Sequence, residues 1–524
     1  MNPPAPRHAW EPSRERDFAV MARNVSTRYL AIAAEMVIGL VMLPFNLAHL
    51  GAAQYGLWVL LGSVTIHLSI LDLGYGGGII KFMAQYRARR DARALNEIAS
   101  TMFFVFAAMG LLAYGVVALL AFNLDHIFNM TASQAAVGQW ILLIIGVHVA
   151  INFPFSVYGG VSCGFQRIDA NNMVAVIVAV TAAVVNAVVL LAGYGLVTLV
   201  AATTAVRVFG YYIYRLNAIR IYPELRIHPS LFRTSRLREV TGFSVYASII
   251  DWANKLNYEL DEVVIGIFFG SAYVGVWAVA DRIISGTQRL TNQLNGVLFP
   301  VVVDSDASKL QDRLQRILLQ GTLLSLAMVV PISATLMVMA DPLVRAWVGP
   351  EMRGAVPIIQ ILAIAVAIRV GNATATTLLK GAGQHRMLAW VNLSTGLVNI
   401  LLSVVLIKPF GLVGVAMGTL IPIALSSAFI VQPAACRRVG LPMRRALLQS
   451  VLPAVWPAFV VAGVLALMKD ISSGTFLAVA LQAVGGGVLY LTLFLAFAIG
   501  RKERTYYVTK VLELTGRGPL PTAA

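Results

Sequence analysis

Apolar residues run through the chain in stretches of about 20, separated by short polar connections, and an α-helix needs that length to cross a hydrocarbon core. The pattern predicts fourteen spans: 29–50, 57–80, 100–121, 137–158, 173–193, 195–214, 241–269, 273–299, 317–339, 356–378, 388–407, 411–432, 449–468 and 476–499. Two stretches within that pattern match each other. LGAAQYGLW at Leu50–Trp58 joins the first two spans, and FGSAYVGVW at Phe269–Trp277 joins the seventh and eighth. Gly51, Gly56 and Trp58 thus stand 219 positions before Gly270, Gly275 and Trp277, and each stretch reads as a tight turn.

The same offset extends further. RDARALNEI from Arg90 precedes KLQDRLQRI from Lys309 by 219 positions. Tyr194-Gly195-Leu196-Val197 precedes Phe410-Gly411-Leu412-Val413 by 216. One slowly drifting offset over six helices predicts a duplicated chain. An even number of spans separates the copies, so they share one orientation and are related by an axis along the membrane normal. The expected plan is an N-terminal tail (1–28), a six-helix lobe (29–214), an inter-lobe linker (215–240) and a second six-helix lobe (241–432). Two extra helices (449–499) and a C-terminal tail (500–524) complete it.

Composition narrows the class. The chain is 58% hydrophobic and 12% charged, with a mean hydropathy of +0.78. A soluble domain could not cover that much apolar surface. The reading is an all-α integral membrane protein with about 14 transmembrane helices. The net charge of +16 would suggest nucleic acid in a soluble chain. Here most basic residues fall in the tails and the even-numbered connections, while the odd-numbered ones hold only Arg345, Arg353, Lys408 and Lys469. By the positive-inside rule both termini are cytoplasmic, and the charge records topology, with no nucleic-acid partner. The first apolar run reads as a retained helix. Cys163 and Cys436 fall at cytoplasmic helix ends and predict no structural disulfide. The sequence carries no phosphate-cradling loop, no metal-type spacing among its seven His and no nucleophile–base constellation, so no enzyme, metal or cofactor is expected.

Charges inside the spans carry the functional argument, because an ionisable group facing lipid is costly. Span 7 holds Asp251, Lys255, Glu259, Asp261 and Glu262. Asp251, Lys255, Glu259 and Glu262 recur at helical spacing with Tyr258 on the same stripe, which reads either as the wall of a wet cleft or as a neutralised packing seam. Arg282, Arg289, Arg369 and Arg207 are candidate anion contacts, since guanidinium offers a planar fork to phosphate oxygens. The alternatives are ion pairing with Asp281 and snorkelling toward headgroups. Glu35, Asp72 and Asp281 are candidates for coupling a proton or sodium ion, with pairing to a basic residue as the other reading. His67 and His148 are expected to be packed or cavity-lining. The first hairpin has no charge cluster like that of spans 7 and 8, so substrate binding is expected mainly in the second lobe.

The turn motifs, LDLGYGGG at the end of span 2, LDEVVIG before the second turn and KGAGQHR…FGLVGVAMGTLI resemble the polysaccharide-transporter branch of the multidrug/oligosaccharidyl-lipid/polysaccharide exporter superfamily. That branch includes the Wzx-type flippases of O-antigen and exopolysaccharide synthesis. The resemblance spans about residues 24–500. It implies two pseudo-symmetric lobes in a V-shaped bundle, alternating access, and a cargo of oligosaccharide on undecaprenyl pyrophosphate moved to the periplasmic leaflet of a bacterial inner membrane. Membrane lipids, glycosyltransferases and a glycan polymerase are the partners it implies. Three rival readings fit the sequence as well: a drug/cation antiporter of the same superfamily, a peptidoglycan-precursor flippase, and a membrane glycan polymerase or ligase. The last would want a large extracytoplasmic loop, and the sequence offers only 122–136 and 340–355.

Overall fold

The computed structural model describes residues 14–242, 244, 260–291, 293–469 and 475–498, and every regular element among them is helical. The helices before the linker are α1 (Arg14–His67), α2 (Tyr75–Ala88), α3 (Ala92–Ala121), α4 (Ala132–Gly164), α5 (Ile168–Leu191) and α6 (Leu196–Ile221). After it come α7 (Asp261–Phe269), α8 (Ser271–Thr291), α9 (Gln293–Ala307), α10 (Gln311–Trp347), α11 (Ala355–Gly381) and α12 (His385–Phe410). The last three are α13 (Leu412–Arg438), α14 (Met443–Met468) and α15 (Phe476–Ala498), each containing one π-helical turn.

Among the described residues, eleven helices are long and apolar enough to cross a membrane. The difference from the fourteen expected spans has local causes. Spans 1 and 2 fall on one helix, α1, in which Gly51 alone departs from helical geometry (φ 72°, ψ 166°), so the expected turn is a single-residue break. Much of span 7 lies outside the described residues. Span 8 is diluted by Asp281, Arg282 and Arg289. Large apolar side chains such as Leu111, Trp390, Phe459 and Phe497 are exposed on the helix surfaces, which suits a lipid solvent and no other. The protein is an all-α membrane protein.

Local signals set the helix ends. Asp91 accepts a hydrogen bond from the Ala94 amide (2.9 Å) and caps α3. Thr131 and Gln134 form a reciprocal capping box at the start of α4. The duplication recurs in backbone conformation. Left-handed residues occur at Gly51 and Gly270, and again at Arg90 and Lys309, both pairs 219 apart. The second pair is non-glycine, where this conformation costs about 1–2 kcal/mol, so the helix start that follows holds it in place.

The chain divides into two compact units. The first contains the described residues up to 244 together with Ile265–Gly275, and the second contains residues 260–264 and everything from Val276 on. In the first unit Met83, Leu95, Ile98, Met102, Phe106, Val157 and Val161 form a buried core. In the second, Val302, Leu314, Leu318, Leu378, Leu379, Val431 and Cys436 do the same.

The connection after α6 is ordered by contacts with α3. Helix α6 continues to Ile221, beyond the expected boundary at 214. Asn96 Nδ2 then donates to the Glu224 carbonyl (3.0 Å), and its Oδ1 accepts from the Arg226 amide (2.8 Å). The Arg233 amide donates to Thr101 Oγ1 (3.0 Å). In the second unit Gln315, which stands 219 residues after Asn96, donates Nε2 to the Val439 carbonyl (2.7 Å) after α13. The chain leaving α6 is thus tied to the start of α3, and the chain leaving α13 to the start of α10, by the same amide position. Glu97 adds charge to the first clamp. It is buried and pairs with Arg93 (3.0 Å) and Arg236 (3.1 Å).

Candidate functional site

Helix α8 gathers polar groups on one face. Asp281, Ser285 and Gln288 recur at i, i+4 and i+7, with Arg282 and Arg289 beside them. Ser285 Oγ donates to Asp281 Oδ1 (3.0 Å). From α11, Arg369 Nη1 donates to Gln288 Oε1 (3.0 Å). At the start of α7, Asp261 Oδ2 accepts from Thr419 Oγ1 on α13 (3.2 Å). These contacts are linked electrostatically: Asp281 interacts with Arg282, Arg289 and Arg369, and Asp261 with Asp281 and Arg369. Four helices of the second unit thus converge on three guanidinium groups and two carboxylates.

The cluster unites the sequence-predicted Asp281, Arg282, Arg289 and Arg369, which lie up to 88 positions apart. It adds Asp261, a charge in span 7 that lies off the stripe of Asp251, Lys255, Glu259 and Glu262. Arg282 and Arg289 are exposed, while Asp261, Asp281, Arg369 and Glu262 are half-buried. Asp281 lies within electrostatic reach of all three arginines. The arrangement leaves guanidinium surface accessible on the same face. Asp251, Lys255, Tyr258 and Glu259 lie outside the described residues.

The first unit holds a cavity of about 530 Å³ walled by both polar and apolar side chains. Three helices each supply a stripe at helical spacing: Trp58, Gly62 and Thr65 from α1, His148, Asn152 and Ser156 from α4, and Thr203, Thr204 and Arg207 from α6. Asp72 and Gly76 close another side. The Asp72 carboxylate accepts from the Gly76 amide (3.1 Å) and so caps the first turn of α2, a role not expected from its place in span 2. His148 lines the cavity, as one of its two readings had it, and its Nε2 shares a hydrogen bond with Tyr211 Oη (2.8 Å). His67 is turned to the Ser63 carbonyl of its own helix (2.7 Å). Glu35 is exposed on α1 and belongs to neither group. The expectation that substrate binding falls mainly on the second lobe took no account of this cavity. Its signal was present as the i, i+4, i+8 stripe His148-Asn152-Ser156 in an otherwise apolar span.

Among the described residues, no group of three or more His, Cys, Asp or Glu is arranged to hold a metal ion. Cys163 and Cys436 are both free thiols.

Comparison with known proteins adds three findings. Residues 50–357 match the family profile described as polysaccharide biosynthesis protein. The "Probable flippase AglR" of Haloferax volcanii is 21% identical over 432 residues, which is 79% of this chain and 83% of that protein. The "Succinoglycan biosynthesis transport protein ExoT" of Rhizobium meliloti is 26% identical over 214 residues, 40% of this chain and 41% of its own. Among solved structures, "Lipid II flippase MurJ, inward closed conformation" superposes with a TM-score of 0.68 at 12% identity, covering 90% of this chain and 98% of that one. An inward-facing multidrug resistance MATE family transporter gives 0.59 at 14% identity, covering 77% and 98%. At these identities the structural likeness shows a shared fold.

Proposed function

The chain belongs to the polysaccharide biosynthesis protein family, and from that premise we propose that it is a flippase for lipid-linked glycans, a transporter and not an enzyme. Its cargo is an oligosaccharide on undecaprenyl pyrophosphate. It carries this cargo to the periplasmic leaflet of a bacterial inner membrane, for O-antigen, capsule or exopolysaccharide assembly, with both termini cytoplasmic. The observation that carries the reading is the convergence of Arg282, Arg289 and Arg369 with Asp261 and Asp281 inside a membrane-embedded helix bundle.

The physics of the task fits these residues. Sugars and a pyrophosphate cannot cross hydrocarbon without costly desolvation, while the polyprenyl tail is at home there. Fixed guanidinium groups hold the pyrophosphate by charge and geometry without reading a sugar sequence. The nearby carboxylates keep the site close to neutral when it is empty and weaken its grip, so release needs no large energy input. An inside-negative potential favours outward movement of an anion of about two charges by roughly 4–5 kcal/mol per 100 mV. That drive stands in place of ATP hydrolysis. Proton or sodium coupling through Asp281, Asp72 or Glu35 would add to it.

A second reading rests on the two carboxylates of the same cluster and the fold shared with the MATE transporter: export of a cationic drug in exchange for ions. Reconstitution into liposomes separates the two. The proposal expects a fluorescent undecaprenyl-pyrophosphate oligosaccharide to become accessible in the opposite leaflet, faster with a potential that drives the anion across. Exchange of an organic cation with no glycan movement would overturn it.

A further inference from the structure

The cavity of the first unit differs in chemistry from the charged cluster of the second. We propose that it is a carbohydrate subsite, receiving sugar rings of the transported glycan; this rests on the flippase reading. Four of its groups offer hydrogen bonds that the described residues leave unused. The Asn152 amide, the Thr204 hydroxyl, the Trp58 indole N–H and the Arg207 guanidinium have no hydrogen-bond partner among the described residues. They project from three different helices around one space, and groups so placed select for a ligand that is polar on several sides.

The charge balance argues for a neutral ligand. One carboxylate, Asp72, and one guanidinium, Arg207, line the same cavity, so an anion gains little there that the second unit does not offer more strongly. A polyol uses both: guanidinium and amide N–H groups donate to ring hydroxyls, and the carboxylate accepts from them. Trp58 supplies the apolar wall. Its ring is half-buried and braced edge-on by Tyr55 at 6.3 Å between centroids. The flat C–H face of a pyranose stacks on such a surface. The volume of about 530 Å³ accommodates a short run of sugars and lies within the ~300–1,000 Å³ typical of small-molecule sites. Trp277, the repeat-equivalent of Trp58, is 2% exposed, so the second copy of the motif buries its indole where the first leaves it half-buried.

The test compares two fluorescent cargoes in liposomes: undecaprenyl pyrophosphate carrying a tetrasaccharide, and the same lipid carrying a single sugar. The variants are Trp58→Leu, Trp58→Phe, Asn152→Leu and Thr204→Val in the full chain. The expected result is a drop of about tenfold in the tetrasaccharide-to-monosaccharide rate ratio for Trp58→Leu and Asn152→Leu, the size of one lost buried hydrogen bond or stacking contact. Trp58→Phe should recover most of the ratio. Equal loss on both cargoes would mark a structural role and overturn the subsite, as would no loss on either. Failure of the wild-type protein to move either cargo would instead overturn the flippase reading on which the subsite depends. Loss of tetraphenylphosphonium binding in Trp58→Leu with an unchanged glycan ratio would assign the cavity to cations and also overturn the proposal.

Discussion

Gly56 and Gly275, the second glycines of the two matching turn motifs, lie against each other. A Cβ built on Gly56 would stand 2.6 Å from the Gly275 nitrogen, and one on Gly275 would stand 2.6 Å from the Ala52 carbonyl oxygen. The opposing atoms are backbone, so no side-chain rotation can make room. Gly56→Ala and Gly275→Ala are each expected to destabilise the protein by about 1–3 kcal/mol or more through overpacking. Gly51→Ala tests a different cost. Open space surrounds that site, but the left-handed φ of 72° penalises any side chain by about 1–2 kcal/mol. Thermal unfolding in detergent, followed by size-exclusion fluorescence, should rank all three below wild type. A wild-type melting temperature for Gly56→Ala would contradict the contact.

The fold was legible because its signals are periodic and local. Runs of apolar residues mark the spans, and the offset between Gly51 and Gly270 marks the repeat. The glycine spacing itself could be read in the sequence. That Gly56 and Gly275 face each other could not, because spacing along a chain says nothing about which turns meet. The site was readable in part. Arg282, Arg289 and Arg369 stood out as charges in apolar spans, whereas Asn152, Thr204 and Trp58 are ordinary residues in a membrane helix. Only the convergence of α1, α4 and α6 makes them a group. Asp72 was readable in part: its charge stood out in the sequence, while its hydrogen bond to Gly76 and its place on the cavity wall did not.

Arg369 is the only cluster guanidinium contributed by a helix other than α8, and it interacts with both Asp261 and Asp281. Replacing it with methionine leaves two carboxylates facing each other with less compensation. Arg369→Met is expected to lower flipping at least about tenfold and stability by about 1–3 kcal/mol. Adding Asp261→Asn should restore stability but not flipping, with a coupling energy of about 0.5–3 kcal/mol. Additive losses in the double variant would show that Asp261 and Arg369 do not share a network.

The clamp around Glu97 gives a graded series. The Glu97 side chain is 9% exposed and faces Arg93, Arg233 and Arg236, whose side chains are 80%, 45% and 24% exposed. Solvent screens the outer partners and leaves the inner one strong. Glu97→Gln is expected to cost about 1–3 kcal/mol, Arg236→Ala somewhat less, and Arg93→Ala under about 1 kcal/mol. Arg236 also donates to the Tyr86 hydroxyl (2.8 Å) and pairs with Glu239 (3.2 Å), so its loss should loosen the 222–242 segment. Limited proteolysis of that segment checks the order. Cleavage as fast in Arg93→Ala as in Arg236→Ala would refute the gradient.

Tyr222 supplies a pH test just past the end of α6. Burial, reinforced by the negative charge of Glu224, pushes its phenol up to about 12. An unfolded tyrosine releases its proton near pH 10. Above that pH the unfolded chain therefore binds fewer protons than the folded one, and stability falls as pH rises. The contribution is fully present below about pH 10 and is lost as pH approaches about 12, on the order of 2 kcal/mol in total. Tyr222→Phe removes the titrating group but keeps the ring that stacks on Phe165 at 5.2 Å between centroids. The buried hydroxyl has only the Asn96 side chain near it and no close hydrogen bond, so its removal should cost little at pH 8. The variant should match wild type at pH 8 and exceed it in melting temperature at pH 11. Parallel decline of the two proteins between pH 9 and 11 would show that the phenol titrates normally and that its burial does not shape the alkaline limit.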